Sequence, residues 1–559
     1  MTETFGPLSP ALVLILAGLV LPLLRGALRN ALFLVAPIAA LALVWALPLG
    51  PGIAVDWLGL HLMPLAPDRM ARIFGTAFGI AAVAGALYGI SQPSVTEKAA
   101  ALIYAGAAQG IAFAGDLVTL FVFWEILAIG STLVIWSNGN VRAGLRYALI
   151  HVLGGVLLFA GISAEISASG NVAMQALRAD SIGRWLMLAG ILVNAGALPL
   201  SAWVVDAYPK ASWSGAVFLS AFTTKAAVLV LIRLFPGEPA LLWIGLAMAV
   251  YGLVYALLEN DIRKLLSYSI VGQVGFMVVA VGIGSPLALA AAALHAFAHI
   301  LYKALLMMAA GSILRSTGES RLTALGGLAR SMPFTAAALL IGGFSLAAVP
   351  LTAGFVSKSA IMAALAQDHA GFYWFALTAV SAGSFLYIGL KLPWFALFGQ
   401  RSTVPSSEPP LSMKAAMGLL CAIILVLGCL PGLVESLVPE IAGVAILTAD
   451  HILFQLQMLV AASCIFVCLL PLLRPRAGST LDFDWLWREL PRHSAPLRAQ
   501  GSHLLQAQLL RFRASFEGGW ASFSQRAIAR LGAAANWPTG QIAFWATALL
   551  AICVLIAAL

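Results

Sequence analysis

Charge is what this sequence has least of. Only 9% of its 559 residues are Asp, Glu, Lys or Arg, where a soluble domain carries about 25%. Too little polar surface exists for water on every side, which excludes a soluble globular class. Cysteine is also sparse. The five present (Cys421, Cys429, Cys464, Cys468, Cys553) lie in apolar segments and form no CxxC pair, which argues against disulfide or metal roles. The sequence has no GxxxxGK[ST] phosphate loop and no polar stretch the size of an ATPase domain, so energy must come from an ion gradient or a partner subunit. The N-terminus MTETFGPLSP lacks a basic leader region, so residues 8–24 read as a retained first span rather than a cleaved signal.

What fills the sequence instead is apolar runs of about 20 residues, the length that crosses a bilayer core as a helix. The fold class predicted is an all-α polytopic membrane protein with about 14–16 transmembrane helices. The net charge of +9 does not point to nucleic acid. It fits cytoplasmic loops rich in Lys and Arg if the N-terminus is outside: Arg25 and Arg29, Arg142 and Arg146, Lys210, Arg263 and Lys264, then Arg315, Arg321 and Arg330. The organisation expected is N-terminal helices in 1–97, a five-helix repeat in 98–237 and a second, inverted one in 238–400. Further bundle helices follow in 401–473, then a cytoplasmic amphipathic arm in 474–540 and a last helix in 541–559. The arm is rich in arginine and spaces Leu504, Leu505, Leu509 and Phe512 along one helical face, which suits either a membrane-surface tether or a strap against a neighbouring subunit.

The repeat is read from anchors. The word ALPLSA around Pro199 returns as AVPLTA around Pro350, 151 residues later (350 − 199). Asp116 and Asp261, each opening a span, are 145 apart, and His151 and His299 are 148 apart. Each copy holds five spans, so the second runs upside down, as in transporters built from inverted repeats with interrupted helices. A proline in mid-span removes a backbone hydrogen bond. It survives in a membrane only where protein or water satisfies the freed groups. One such site is commonly a simple kink, whereas two in register suggest broken helices beside a hydrated path.

Ionisable residues inside spans cost about 2.5–3.5 kcal/mol each on insertion scales and usually mark ion pathways. Glu125 and Lys225 are unaccompanied mid-span charges of the first repeat. In contact they would form a switchable proton site or a static ion pair. His295, His299 and Lys303 follow one another at i, i+4 and i+8, so they share one helix face over roughly 12 Å. Histidine titrates near neutral pH, which suits a relay, although a packing pair of histidines is the plainer reading. HAFAH lacks the glutamate of a zinc-protease motif, so neither a metal nor another cofactor is expected. Lys391 closes the second repeat as Lys225 closes the first. Their 166-residue offset implies an insertion near residues 368–371, and Lys391 could also snorkel. Lys264 and Lys358 are weaker candidates that could equally be end-of-helix charges.

These words resemble the antiporter-like subunit family: the large proton-pumping membrane subunits of respiratory complex I, Mrp-type cation/proton antiporter subunits and subunits of membrane-bound hydrogenases. The resemblance covers about residues 70–400 and rests on AGDLVTLFVFWE, ALPLSAWVVDAYPKAS, FLSAFTTKAAVLVLIR, NDIRKLLSYSIVGQVGF, HAFAHILYKALL and GFVSKSAIM. It is nearest to D-type Mrp subunits. By that resemblance Glu125 is the family's glutamate, Lys225 its functional partner, Lys303 the central lysine and Lys391 the terminal one. It implies no catalytic site, a bacterial inner-membrane location, other integral membrane subunits as partners, and protons with Na⁺ as a candidate counter-ion, beside lipids. Asn194 stands where many members carry a lysine, and Ser201 and Val205 where many carry residues of a PxHxWLPDAH-like word. The alternatives are a redox-driven subunit of a complex I-like or hydrogenase-like assembly, a stand-alone permease for an organic solute, and a scaffold with a degenerate channel.

Overall fold

The computed structural model describes residues 8–50, 52–57, 59–400, 403–476 and 482–483. Residues up to 480 form one compact unit. Of the rest only 482 and 483 are described, so nearly all of the expected arm and the whole of the last span lie outside the described residues. Among the described residues 11 helices are long and apolar enough to cross a membrane, and three shorter apolar helices accompany them. A feature not foreseen is an antiparallel hairpin, Ile53–Trp57 with Leu60–Leu65, between the helices Gly26–Ala46 and Arg69–Tyr88. Gly59, at φ +77°, supplies the left-handed residue its tight turn needs.

The two repeats are visible element by element. The first is Val95–Phe113, Leu117–Trp136, Val141–Ser169, the broken pair Ile182–Ala195 and Ala202–Ala207, then Gly215–Ala221 continuing as Thr223–Leu234. The second is Ala240–Leu258, Ile262–Ile283, Pro286–Thr317, the broken pair Pro333–Leu346 and Ala353–Gln367, then Gly371–Phe385, prolonged by π turns to Leu397. The aspartates act as N-caps. Asp116 accepts from the Thr119 amide at 2.7 Å, and Asp261 from those of Arg263 and Lys264 at 2.8 and 3.0 Å. Each also forms a short bridge to the chain returning from the third helix, Asp116 to Ala173 and Asp261 to Arg321. Those bridge partners are again 148 apart.

Both breaks are complete interruptions. The first half-helix stops with the Ala197 amide on the Leu192 carbonyl (3.0 Å) and Gly196 on Val193 (3.1 Å). In the second, Val349 bonds Phe344 (2.9 Å) and Ala348 bonds Ser345 (3.1 Å). This is the same terminating motif twice. Pro199 is exposed and Pro350 half-buried, and each lies four residues beyond the last helical residue, Ala195 or Leu346, inside the break. The expected insertion at 368–371 is absent, because only three residues (368–370) separate Ala353–Gln367 from Gly371–Phe385. The extra length lies partly in the half-helix, 15 residues against six in Ala202–Ala207, and partly in the final span, where Lys391 stands 20 residues past Gly371 and Lys225 ten past Gly215.

Small residues set the helix spacing. A Cβ at Gly252 would overlap the backbone of Gly272, and one at Gly245 or Gly275 would meet the facing backbone. Close backbone approach of this kind drives helix association in lipid. Gly252→Val should therefore cost about 1–3 kcal/mol through overpacking. The check is a lower thermal midpoint of the detergent-solubilised protein; an unchanged midpoint would show that the two helices can separate freely.

Candidate functional site

Glu125 sits half-buried midway along Leu117–Trp136. Its Oε1 has no protein partner and lies where a side chain at Gly155 would be, so Gly155 leaves room for it. Glu125 and Lys225 make no ion pair. Lys225 is fully buried, and its Nζ donates instead to the Ser220 carbonyl at 2.5 Å. That carbonyl lies just before the irregularity at Phe222 that divides the fifth helix. The expected contact pair is thus two separate stations.

Between them in the sequence stands a polar group that the charge pattern did not single out. His151 Nδ1 and Asn194 Oδ1 are 2.8 Å apart, walled by Tyr147 and Trp203 with ring centroids 4.0 and 4.6 Å from the imidazole. Asn194 ends the helix before the first break, at the position where the resemblance expects lysine. A hydrogen-bonded histidine–asparagine pair occupies that position. Trp203 Nε1 donates to the Val193 carbonyl at 2.9 Å, the same oxygen that the Gly196 amide reaches. Further along, Tyr104 and Thr223 share a 2.6 Å hydrogen bond.

In the second repeat the ladder is wholly buried. His295 Nδ1 meets Ser357 Oγ at 2.9 Å. Lys303 Nζ donates to Ser269 Oγ at 2.5 Å. His299 has no protein partner on either nitrogen; its ring lies 5.2 Å from that of Tyr302 and 6.3 Å from that of His295. Thr223–Leu234 of the first repeat packs directly on Pro286–Thr317. Lys225 stands on that first-repeat helix, and His295, His299 and Lys303 stand on the second-repeat helix it packs against. The first repeat's lysine therefore belongs to the second repeat's cluster.

Lys358 is 3% exposed and is no helix-end surface charge. It donates to the Leu346 carbonyl freed by the second break at 2.8 Å and to Ser381 Oγ at 3.2 Å, with the Phe276 ring 4.9 Å away. Lys391 is 1% exposed, so it does not snorkel. It caps the end of Ala240–Leu258 by donating to the carbonyls of Leu257 (2.5 Å) and Glu259 (2.8 Å). It sits in a π turn, a distortion that often accompanies function. Lys264 is half-buried beside its Asp261 cap. Glu97 was missed altogether because it stands at the very start of its span. It is buried and accepts from Ser214 (2.5 Å), Ser212 (2.7 Å), Gln92 (3.2 Å) and Ser137 (3.3 Å). The serines in SWSGA and the Ser94 cap were the available signal.

Buried polar atoms are nearly always hydrogen-bonded. Here Glu125 Oε1, His151 Nε2, Asn194 Nδ2, Thr224 Oγ1, His295 Nε2 and both His299 nitrogens have no protein partner. Such a run is polar enough to hold ordered water. Water alternating with titratable groups can pass protons.

Comparison with known proteins gives the same picture. Residues 114–385 match the family model described as NADH:quinone oxidoreductase/Mrp antiporter, TM. The A/B component of a probable K⁺/H⁺ antiporter of Rhizobium meliloti is 32% identical over 413 residues, 67% of this chain and 41% of that protein. An uncharacterised protein of Mycobacterium tuberculosis is 30% identical over 455 residues, 73% of this chain and 69% of its own length. Among solved structures, a chain of an archaeal respiratory membrane complex, the membrane-bound sulfane sulfur reductase, superposes with a TM-score of 0.72 at 24% identity, covering 99% of both chains. The matched stretch is less than half of the Rhizobium protein. With the two broken repeats and the buried line of basic residues, these matches show that the chain belongs to the NADH:quinone oxidoreductase/Mrp antiporter transmembrane family.

Proposed function

We propose that the chain is a proton-translocating subunit of a larger membrane complex, most like the D-type subunit of an Mrp cation/proton antiporter. The carrying observation is the run of orphaned buried polar atoms from Glu125 through His151 and Thr224 to His299 and His295, with Lys225, Lys303 and Lys358 among them. Protons would pass from Glu125 by way of His151 and water to Lys225, cross between the repeats to His299, and spread to Lys303, His295 and Lys358. Lys391 serves the end of the bundle at the Leu258–Asp261 turn. Like charges in one low-dielectric cluster repel strongly, so a proton arriving at one station favours release from another. The positive loops support an N-terminus outside a bacterial inner membrane. The counter-ion is an alkali cation: K⁺ is in the name of the Rhizobium relative, and Na⁺ follows from the Mrp resemblance. In proteoliposomes of the assembled complex, an imposed K⁺ or Na⁺ gradient should drive opposite proton movement, read with a pH dye. Proton movement that ignores both cations yet follows electron donors would favour the second reading, a redox-driven subunit. The full-length superposition on a respiratory complex chain supports that alternative.

The arginine-rich arm is proposed as a strap along the cytoplasmic face, clamping a second integral membrane subunit. Deleting residues 485–559 should release that subunit on native gels. A partner that stays bound, with flux unchanged, would make the arm a lipid tether instead.

A further inference from the structure

Arg263 opens the second helix of the second repeat, Ile262–Ile283, and is 4% exposed. Its guanidinium is spent on one segment of the first repeat. Nη1 donates to the Pro209 carbonyl at 3.0 Å, and Nη2 donates to those of Tyr208 (3.3 Å), Ala211 (2.9 Å) and Ser212 (2.9 Å). That segment joins the half-helix Ala202–Ala207, beyond the first break, to the helix Gly215–Ala221 that runs on to Lys225. The side chains of the same segment are held by Glu97, through Ser212 at 2.7 Å and Ser214 at 2.5 Å. Asn138 and Asn140 add donors to its Lys210 carbonyl at 2.9 and 2.7 Å. A buried charge must be paired, hydrogen-bonded or neutralised. Neither Glu97 nor Arg263 makes an ion pair among the described residues, and residues 208–214 satisfy both. A simple helix cap accounts for the bonds to Tyr208 and Pro209, which end the half-helix. Ala211 and Ser212 lie beyond that end, so the guanidinium fork grips the connection as well as the cap.

We propose that Arg263 is a positioning residue, which fixes from the second repeat where the first repeat's half-helix ends and where the Lys225 helix begins. The inference rests on the proton-path reading and adds to it a residue that touches neither station. Trp203, on the half-helix, walls His151 at 4.6 Å. Lys225 follows the irregularity at Phe222 on the other side of the connection. A shift of residues 208–212 therefore moves both stations at once. The planar guanidinium reaches four carbonyls in a fixed fork, which the compact ammonium of a lysine does not reproduce.

The test uses the assembled complex with the native cysteines of this chain replaced and a nitroxide on Lys210→Cys, an exposed position of the connection. Misplacement by an ångström costs reacting groups up to about 100-fold, so Arg263→Gln should lower the maximal proton flux per assembled complex by about 10- to 100-fold. The half-saturating cation concentration should stay as in the parent, and the nitroxide spectrum should show a looser connection. Arg263→Lys, which keeps the charge and loses the fork, should be intermediate in flux and in mobility. It carries the test alone if Arg263→Gln does not assemble. Flux per complex equal to the parent's, as a purely structural role predicts, overturns the proposal. So does a nitroxide spectrum unchanged by the loss of Arg263, or a lysine variant identical to the parent in both readouts. If Lys303→Met conducts protons normally, the proton-path reading falls and this role falls with it, so the two failures are told apart.

Discussion

Lys225→Ala should abolish proton translocation by the assembled complex while leaving assembly intact. Lys225 is fully buried and donates to one backbone carbonyl. It lies where the first repeat meets the histidine helix of the second. A cation at that site costs about 2.5–3.5 kcal/mol on insertion scales, which a purely structural residue would not justify. Glu125→Gln should have the same effect on flux for a different reason, since it removes a proton carrier whose Oε1 faces Gly155 and no cation. The two sites should be energetically independent. A double-mutant cycle on thermal stability should give a coupling below about 0.5 kcal/mol, as for residues without shared contacts. A large coupling would restore the contact pair expected from the charge pattern alone. Normal flux in either single variant, measured with a pH dye in proteoliposomes, would remove that residue from the path.

The second large effect is at Lys303. Lys303→Met should reduce proton flux to the leak of protein-free vesicles without lowering stability. Methionine nearly matches the volume and adapts to irregular gaps, and it removes a desolvated amine whose partners among the described residues are Ser269 and, at 3.4 Å, the Leu266 carbonyl. Lost flux with an equal or higher thermal midpoint identifies a carrier; lost flux with a collapsed midpoint identifies a packing residue. His299→Ala should slow flux and alter its pH profile. His299 shares its helix face with His295 and Lys303, so the profile reports the coupled group rather than one residue.

The repeat was legible because its anchors are chemically obligatory. Asp116 and Asp261 cap helices, Pro199 and Pro350 stand in the breaks, where a helix cannot continue through them, and each recurs at nearly the same interval. The ladder was legible for a similar reason, since i, i+4, i+8 spacing fixes a common face. What could not be read is which helices touch. The central helices are apolar all round, as buried spans are, so nothing in the one-dimensional pattern says that Lys225 faces His299 rather than Glu125. The offset of Lys391 from Lys225 suggested equivalent places in two copies. Yet Lys225 sits mid-bundle and Lys391 caps carbonyls at one end, because the second half-helix is longer and the span that follows is prolonged by π turns around Pro393. Glu97 looked like a loop charge because it stands beside Lys98 at a span boundary, and only the fold brings Ser212 and Ser214 to it.

The central claim is a continuous hydrated line that crosses between the repeats. It is tested most directly by a high-resolution density map of the assembled complex in a lipid bilayer. Ordered waters are predicted within hydrogen-bond distance of Thr224 Oγ1, both nitrogens of His299, His295 Nε2 and Glu125 Oε1, linking Lys225 to Lys303. The same atoms packed dry against apolar groups, or capped by side chains of a neighbouring subunit with no water between the repeats, would contradict it.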